Sequence, residues 1–337
     1  MIRTPADFRR IAVALAGAGS MISVVLIAEL LLHWPFYRPM YGTFGLDLGS
    51  PLAVKFREGN MRATGPFIEA TIAAFCLTFT VFAASQIRSA FTTKLFHLGL
   101  MALLVAGVAA PQSRGALLGL AVGFAAIYLY RRSQTVIATL LVGAAVFAAF
   151  FVTVGLQPET TAPADMHSSE TIEYRKRLMT RGMEEFAKSP LTGDTFPNIL
   201  SRMQDLRQGE GIVDFVNTYL WVALLSGVLG LLLFLAAFGT RLFHLWTLRP
   251  RLRKAGFGPG AAAFVFASLC APVVMLIFTS FGARIPMLVF ATFGLSTALL
   301  TAVRKGRRPR EVFVAVGPAA PDMRVPPRAG SFTRVSE

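Results

Sequence analysis

Apolar runs of about 20 residues, the length needed to cross a bilayer core as a helix, recur along this chain between short polar segments. About eight stretches meet that test, near 11–34, 66–87, 95–111, 115–130, 135–156, 217–240, 261–281 and 285–303. The third and fourth are separated only by Pro111-Gln112-Ser113-Arg114. A charge in mid-bilayer is costly, so Arg114 favours two spans there over a re-entrant hairpin. One long polar interruption, residues 157–215, breaks the pattern. The expectation is an all-α polytopic membrane protein, with a helical membrane domain over 1–303 that includes this loop, and a basic, disordered tail over 304–337.

Inside the interruption the periodicity changes to that of a short amphipathic helix. Ser169 is the expected N-cap, Glu170 and Glu173 fall in the favourable first turn, and Pro190-Leu191-Thr192-Gly193 ends the helix. Ile172, Met179, Met183 and Phe186 form the predicted apolar stripe, and helical spacing puts Arg175 on the same face. Arg177 and Arg181 point elsewhere and are expected to pair with Glu173 and Glu185.

Composition excludes a water-soluble globule: 54% of residues are hydrophobic, 29 are Phe, mean hydropathy is +0.59, and 15% are charged where soluble domains carry about a quarter. The run after Arg9-Arg10 is too long for a cleaved signal and lacks a small-residue cleavage site, so it reads as a retained first span. Charge then orients the bundle. With the N-terminus cytoplasmic, inner segments hold 20 basic and four acidic residues, whereas the short outer loops hold six basic ones. Both termini are therefore expected inside and the 157–215 loop outside. The net charge of +15 is a topology signal, with nothing to suggest nucleic acid.

Cys76 and Cys270 lie in apolar runs as small buried side chains, and His33, His97, His167 and His244 are scattered. No nucleotide-binding loop, metal-ligand spacing or cofactor motif is present. Gly115, Gly119 and Gly123 recur every fourth residue and predict a flat helix face for close packing.

Arginines on the outer side are the informative charges, because topology does not require them there. These are Arg38, Arg57, Arg62, Arg114, Arg175 and Arg284, and a cluster of guanidinium forks suits a diphosphate. Two carboxylates, Glu29 and Glu69, sit within or at the edge of spans and need partners, which Arg62 or Arg114 can supply. Glu29 reads as structural; Glu69 is an ion-pair partner or a general base.

Four segments together resemble the O-antigen ligase and O-antigen polymerase superfamily. They are Gln112-Ser113-Arg114-Gly115-Ala116-Leu117-Leu118; Tyr174-Arg175 through Phe186 to Pro190-Leu191-Thr192-Gly193; Asn217-Thr218-Tyr219-Leu220; and Gly227-Val228-Leu229-Gly230-Leu231. Arg62-Ala63-Thr64-Gly65-Pro66 resembles the family's Arg-x-x-Gly start of a span. The resemblance implies a metal-independent, cofactor-free inverting glycosyltransferase in the bacterial inner membrane. Such an enzyme moves glycan from undecaprenyl diphosphate to an acceptor hydroxyl on the periplasmic face, in exopolysaccharide or O-antigen biosynthesis.

Arg114 and Arg175 fall on the family's motif arginines, and the substrate-binding candidates are Arg62, Arg114, Arg175, Asn217, Tyr219 and Arg284. Where relatives carry His-Asn, this chain has Val216-Asn217, which leaves Asp214, Glu210 or Glu69 as the acceptor base. The other function class consistent with these residues is a binding or export subunit for the same lipid-linked glycans, without chemistry.

The charge asymmetry predicts that a topology reporter fused after Thr161 reads periplasmic and one after Arg310 cytoplasmic. The opposite pair of readings overturns the orientation.

Overall fold

The computed structural model describes residues 4–37, 43, 56–57, 60–132, 166–207, 213, 215–254, 257, 259–280 and 284–305. The expected span at 135–156, the start of the loop, Glu210, Asp214 and the tail beyond Lys305 lie outside the described residues. Among those described, ten α-helices account for nearly all regular structure: α1 Pro5–Leu32, α2 Ala70–Ala84, α3 Lys94–Ala109, α4 Arg114–Arg132, α5 Met166–Lys188, α6 Phe196–Arg202, α7 Thr218–Thr247, α8 Arg249–Lys254, α9 Pro259–Met275 and α10 Ile285–Lys305. A short antiparallel hairpin, Phe56–Arg57 with Asn60–Met61, and two 3-10 turns, Arg88–Ala90 and Gln204–Leu206, complete the described elements. Three helices, α1, α7 and α10 to Val303, are long and apolar enough to cross a membrane, and α2, α3 and α9 are shorter apolar helices.

The expected first span begins earlier than its apolar run. Thr4 and Asp7 close a capping box, the Thr4 amide donating to Asp7 Oδ2 at 2.9 Å, and Pro5 is preset for the first turn. At the other end His33 adopts a left-handed conformation, φ 54°, and stops the helix.

Core position follows from side-chain size. From Ile72 to Ala84, α2 is buried on nearly every face, as is α9, and α1, α3 and α4 pack around them. Close approach of α4 uses its glycine face as expected. A Cβ at Gly115 would lie 2.8 Å from Phe278, at Gly119 2.3 Å from Met275, and at Gly123 within the Phe82 ring's volume. Gly19 and Gly107 do the same for α1 against Thr80 of α2 and α3 against Ser23 of α1.

Glu29 is fully buried, and its partners are backbone amides, where the sequence pointed to Arg62 or Arg114. Its carboxylate accepts from Phe36 N at 3.1 Å, Thr64 N at 3.0 Å and Gly65 N at 2.8 Å. Bonds to a charged acceptor contribute roughly 1.5–3 kcal/mol each, so one side chain at the end of α1 pins the segment that carries Arg62.

The long helix α7 is broken. Gly227 has φ 64° and ψ −168°, and the backbone groups freed by the break are taken by the turn after α5. Val228 N donates to Pro190 O at 2.8 Å, and Asp194 N donates to Leu224 O at 2.9 Å. Contact is so close that a Cβ at Gly227 would lie 2.2 Å from Leu191 O, and one at Gly193, itself at φ 71°, 2.4 Å from the Leu225 carbonyl carbon.

At the far end of α4 and α7, Arg249, one of the basic residues counted on the inner side, is not solvated. It is buried, donates to Tyr130 O, and holds its guanidinium 4.6 Å from the Tyr130 ring centre and 4.4 Å from that of Trp246.

Replacing Gly227 or Gly193 by Ala adds a Cβ against backbone that cannot rotate away, beyond the roughly 1–2 kcal/mol left-handed penalty. Both variants should lose thermal stability in detergent by more than Gly17→Ala, which meets nothing within 4 Å. Equal melting of all three would contradict the break geometry.

Candidate functional site

The hairpin and the buried flanks Met61 and Ala63 hold Arg62 half-buried, and its Nε donates to Pro111 O at 3.0 Å. That carbonyl belongs to the tight turn between α3 and α4, in which Gln112 is left-handed, φ 53°, and Ser113 is buried. Arg114 follows at once, exposed at the first residue of α4, with Gly115 flush against Phe278 beneath it. Burial pushes the Arg62 guanidinium below its ordinary range; the Glu69 carboxylate opposes that shift, and the Arg175 charge adds to it. The structure therefore brings Arg62, Glu69 and Arg175 into one electrostatic neighbourhood beside the turn that carries Arg114. Arg284 stands exposed immediately before α10.

Arg175 reaches this neighbourhood on a face rotated from the one expected: of the predicted stripe, Phe186 packs against the loop core, whereas Met179 and Met183 do not. The helix starts at Met166, so Ser169 is inside it and is not its cap. Met179 and Met183 are 48% and 50% exposed, while Leu178, Gly182 and Glu185 are buried. The reason is that α5 docks on α7 through its narrowest side, where a Cβ at Gly182 would lie 2.7 Å from Leu220. Arg175 lies three residues before Leu178, on this docked edge, half-buried with its Nε enclosed.

The neighbouring charges are arranged accordingly. Arg177 pairs with Glu173 as expected. Arg181 pairs with Glu184 at 2.7 Å and Asp205 at 3.2 Å instead of Glu185. Glu185 is buried and accepts from Lys188 at 2.5 Å and Arg202 at 2.6 Å, and Arg202 also reaches Asp194 at 2.6 Å. Spacing along one helix could not reveal this, because Arg202 and Asp194 belong to the returning segment.

The loop has its own small core. Leu178, Ile199, Met203, Leu206, Phe215, Leu220 and Leu224 are buried together, and Val216 and Trp221 pack against them. Trp221 stacks edge-on with Phe196, ring centres 4.9 Å apart, and lies 4.7 Å from Phe215. Asn217 caps α7, its Oδ1 accepting from Tyr219 N at 2.9 Å and Leu220 N at 3.2 Å. Tyr219 Oη donates to Val273 O at 2.6 Å, and Thr218 bonds to Leu276 O and Thr279 O, which ties α7 to the end of α9. Asn217 and Tyr219 are thus engaged by the fold itself. Of the base candidates, Asp214 and Glu210 lie outside the described residues, and Glu69 is exposed at the N-cap position of α2 with no capping bond from its side chain.

All four motif segments meet at this end of the bundle. Residues 99–235, which contain them, match the O-antigen ligase family. No curated protein matches the chain. The family match and the apolar helices together make this a membrane protein.

Asp194 is held down at about 2 by hydrogen bonds from Arg202, Asn198 and the Thr195 amide. A carboxylate with a depressed folded value stabilises the fold above its unfolded range, and that stability is lost as pH falls through the folded value. Hydrogen-exchange protection of α6 should therefore stay level from pH 7.5 to 5 and fall only below about 4, with Asp194→Asn removing the acid step. Protection that declines between pH 7 and 5 would contradict this assignment.

Proposed function

With residues 99–235 matching the O-antigen ligase family, which joins lipid-linked glycan to an acceptor, we propose that this protein is a glycosyltransferase of ligase or polysaccharide-polymerase type. It acts on undecaprenyl-diphosphate-linked glycan at the periplasmic face of the inner membrane, in exopolysaccharide or O-antigen assembly. The observation that carries the reading is the half-buried Arg62, whose Nε donates to Pro111 O in the turn that bears Arg114, within electrostatic reach of Arg175. Like charges brought together where water is scarce fit an anionic occupant, and guanidinium forks match phosphate oxygens in geometry as well as charge.

In the proposed step the acceptor hydroxyl oxygen attacks the anomeric carbon from the face opposite the diphosphate. The bond from that carbon to the phosphate oxygen breaks, its electron pair leaves on undecaprenyl diphosphate, and the hydroxyl proton passes to a base. Negative charge grows on the leaving group, so fixed arginines stabilise the transition state more than the bound donor. Glu69, facing Arg62, and Asp214, two residues before Val216, are the base candidates.

One observation favours the reading without chemistry. The side chain of Val216, the position at which the resemblance implies a histidine, packs against the loop core. A protein that only binds or hands on the lipid-linked glycan would need the arginines and no base.

Purified protein in liposomes with lipid-linked glycan and acceptor distinguishes the two. Arg175→Ala and Arg62→Ala should each lower turnover by about a hundredfold to a thousandfold, the scale for removing one fixed electrostatic donor, while Arg177→Ala stays near wild type. Arg114→Lys should also fail, because an ammonium lacks the planar fork. If Asp214 is the base, Asp214→Asn loses about a hundredfold to ten-thousandfold while donor binding survives. Arginine-dependent donor binding with no turnover at any pH leaves the binding reading alone.

A further inference from the structure

The turn Pro190–Gly193 lies beside a break in a membrane helix, although the polar loop that contains it reads as a water-exposed segment. The last turns of α5 descend alongside the first turns of α7: Gly182 meets Leu220, and eight residues further along each chain Pro190 O meets Val228 N. Eight helical residues advance about 12 Å, so the turn reaches that far along α7 from Leu220. There the chain reverses at Gly193 and climbs back, placing Phe196 against Trp221.

Exposure along α7 changes at the same level. From Thr218 to Gly227 the helix is buried or half-buried by the loop and by α9. Immediately beyond, a band of bare apolar side chains begins, with Leu229 63%, Leu232 58% and Leu233 65% exposed. Leu191, at the tip of the turn, is 71% exposed, and its own carbonyl faces Gly227, at the level where this band begins. The 20 residues from Val228 to Thr247 measure about 30 Å, the thickness of a hydrocarbon core. Arg241 and His244 fall in the last two turns of that length, where an arginine side chain can snorkel to headgroups. On the loop side of the break, Lys188, Glu184, Arg181 and Asp205 carry their charges on half-exposed side chains.

We infer that the break at Gly227 marks the bilayer boundary on the loop side, and that the Pro190–Gly193 turn is an interfacial anchor with Leu191 seated against the lipid acyl chains. The membrane-crossing part of α7 is then Val228–Thr247, with Thr218–Ser226 standing above the hydrocarbon inside the loop's own core. Lipid is the occupant because Leu191 is bare at the same level at which α7, a helix apolar and long enough to cross a membrane, begins to present bare leucines. This inference does not depend on glycosyl transfer, and an inactive protein would leave it intact.

Depth measurement by spin labelling tests it in full-length protein reconstituted into liposomes. Single cysteines at Leu191, Met179 and Leu233 are introduced after Cys76→Ala and Cys270→Ala. If that background does not fold, the native thiols are kept and the signal of the unsubstituted protein is subtracted. Collision rates with oxygen and with a water-soluble nickel chelate should place the Met179 label in water, the Leu233 label deep in the acyl region, and the Leu191 label between them at the interface. A Leu191 label as open to the chelate as that at Met179 would overturn the proposal by putting the turn in water. A label as deep as that at Leu233 would overturn it equally, since the whole of Thr218–Thr247 would then lie in the bilayer.

Discussion

A backbone amide or carbonyl left without a partner near lipid costs several kcal/mol, and the break in α7 is the place where this chain meets that cost. Leu224 O and Val228 N would bond each other in an unbroken helix. Instead each bonds to the turn after α5, through Asp194 N and Pro190 O. The loop and the helix therefore complete each other's backbone pairing, and neither could be moved without orphaning the other. Two glycines at positive φ, Gly193 and Gly227, are what let the two backbones approach to this distance.

Everything that positions Arg175 follows from that exchange. It fixes the lower end of α5, and Gly182 against Leu220 fixes its middle, so the docked edge of the helix is set and Arg175 is carried toward Arg62. Arg62 is held independently, through Glu29 and the amides of Thr64 and Gly65 on one side and Pro111 O on the other. Two elements far apart in sequence thus hold like charges within electrostatic reach of each other, each anchored by bonds the other does not share. The proposed anion site would benefit from such rigidity, because the repulsion between the arginines cannot be relieved by their drifting apart.

Val216 shows how one residue can change meaning between sequence and structure. In the chain it is an absence, the place of a histidine that the resemblance implies. Folded, it packs with Phe215 and Trp221 in the core that holds the loop together. The same short segment continues into Asn217 as helix cap and Tyr219 as a strut to α9, so its described polar groups serve the fold.

Sequence alone determined the helical membrane architecture, the positions of the described apolar helices, the packing role of Gly115, Gly119 and Gly123, and the likeness to the O-antigen ligase family that residues 99–235 match. These depend on periodicity, composition and short motifs, which are local properties of the chain. It also reached Arg175, though through Met179 and Met183, which are exposed. Tertiary structure alone decided which face of α5 docks, that Glu29 is satisfied by amides, that Glu185 pairs with Arg202, and that Arg249 is buried between Tyr130 and Trp246. Amphipathic spacing reports the average polarity of a helix face, whereas docking is settled by which side lets backbones approach most closely. At α5 that side is Gly182, a residue that hydrophobicity does not mark, and its partner Leu220 lies 38 positions away in the chain.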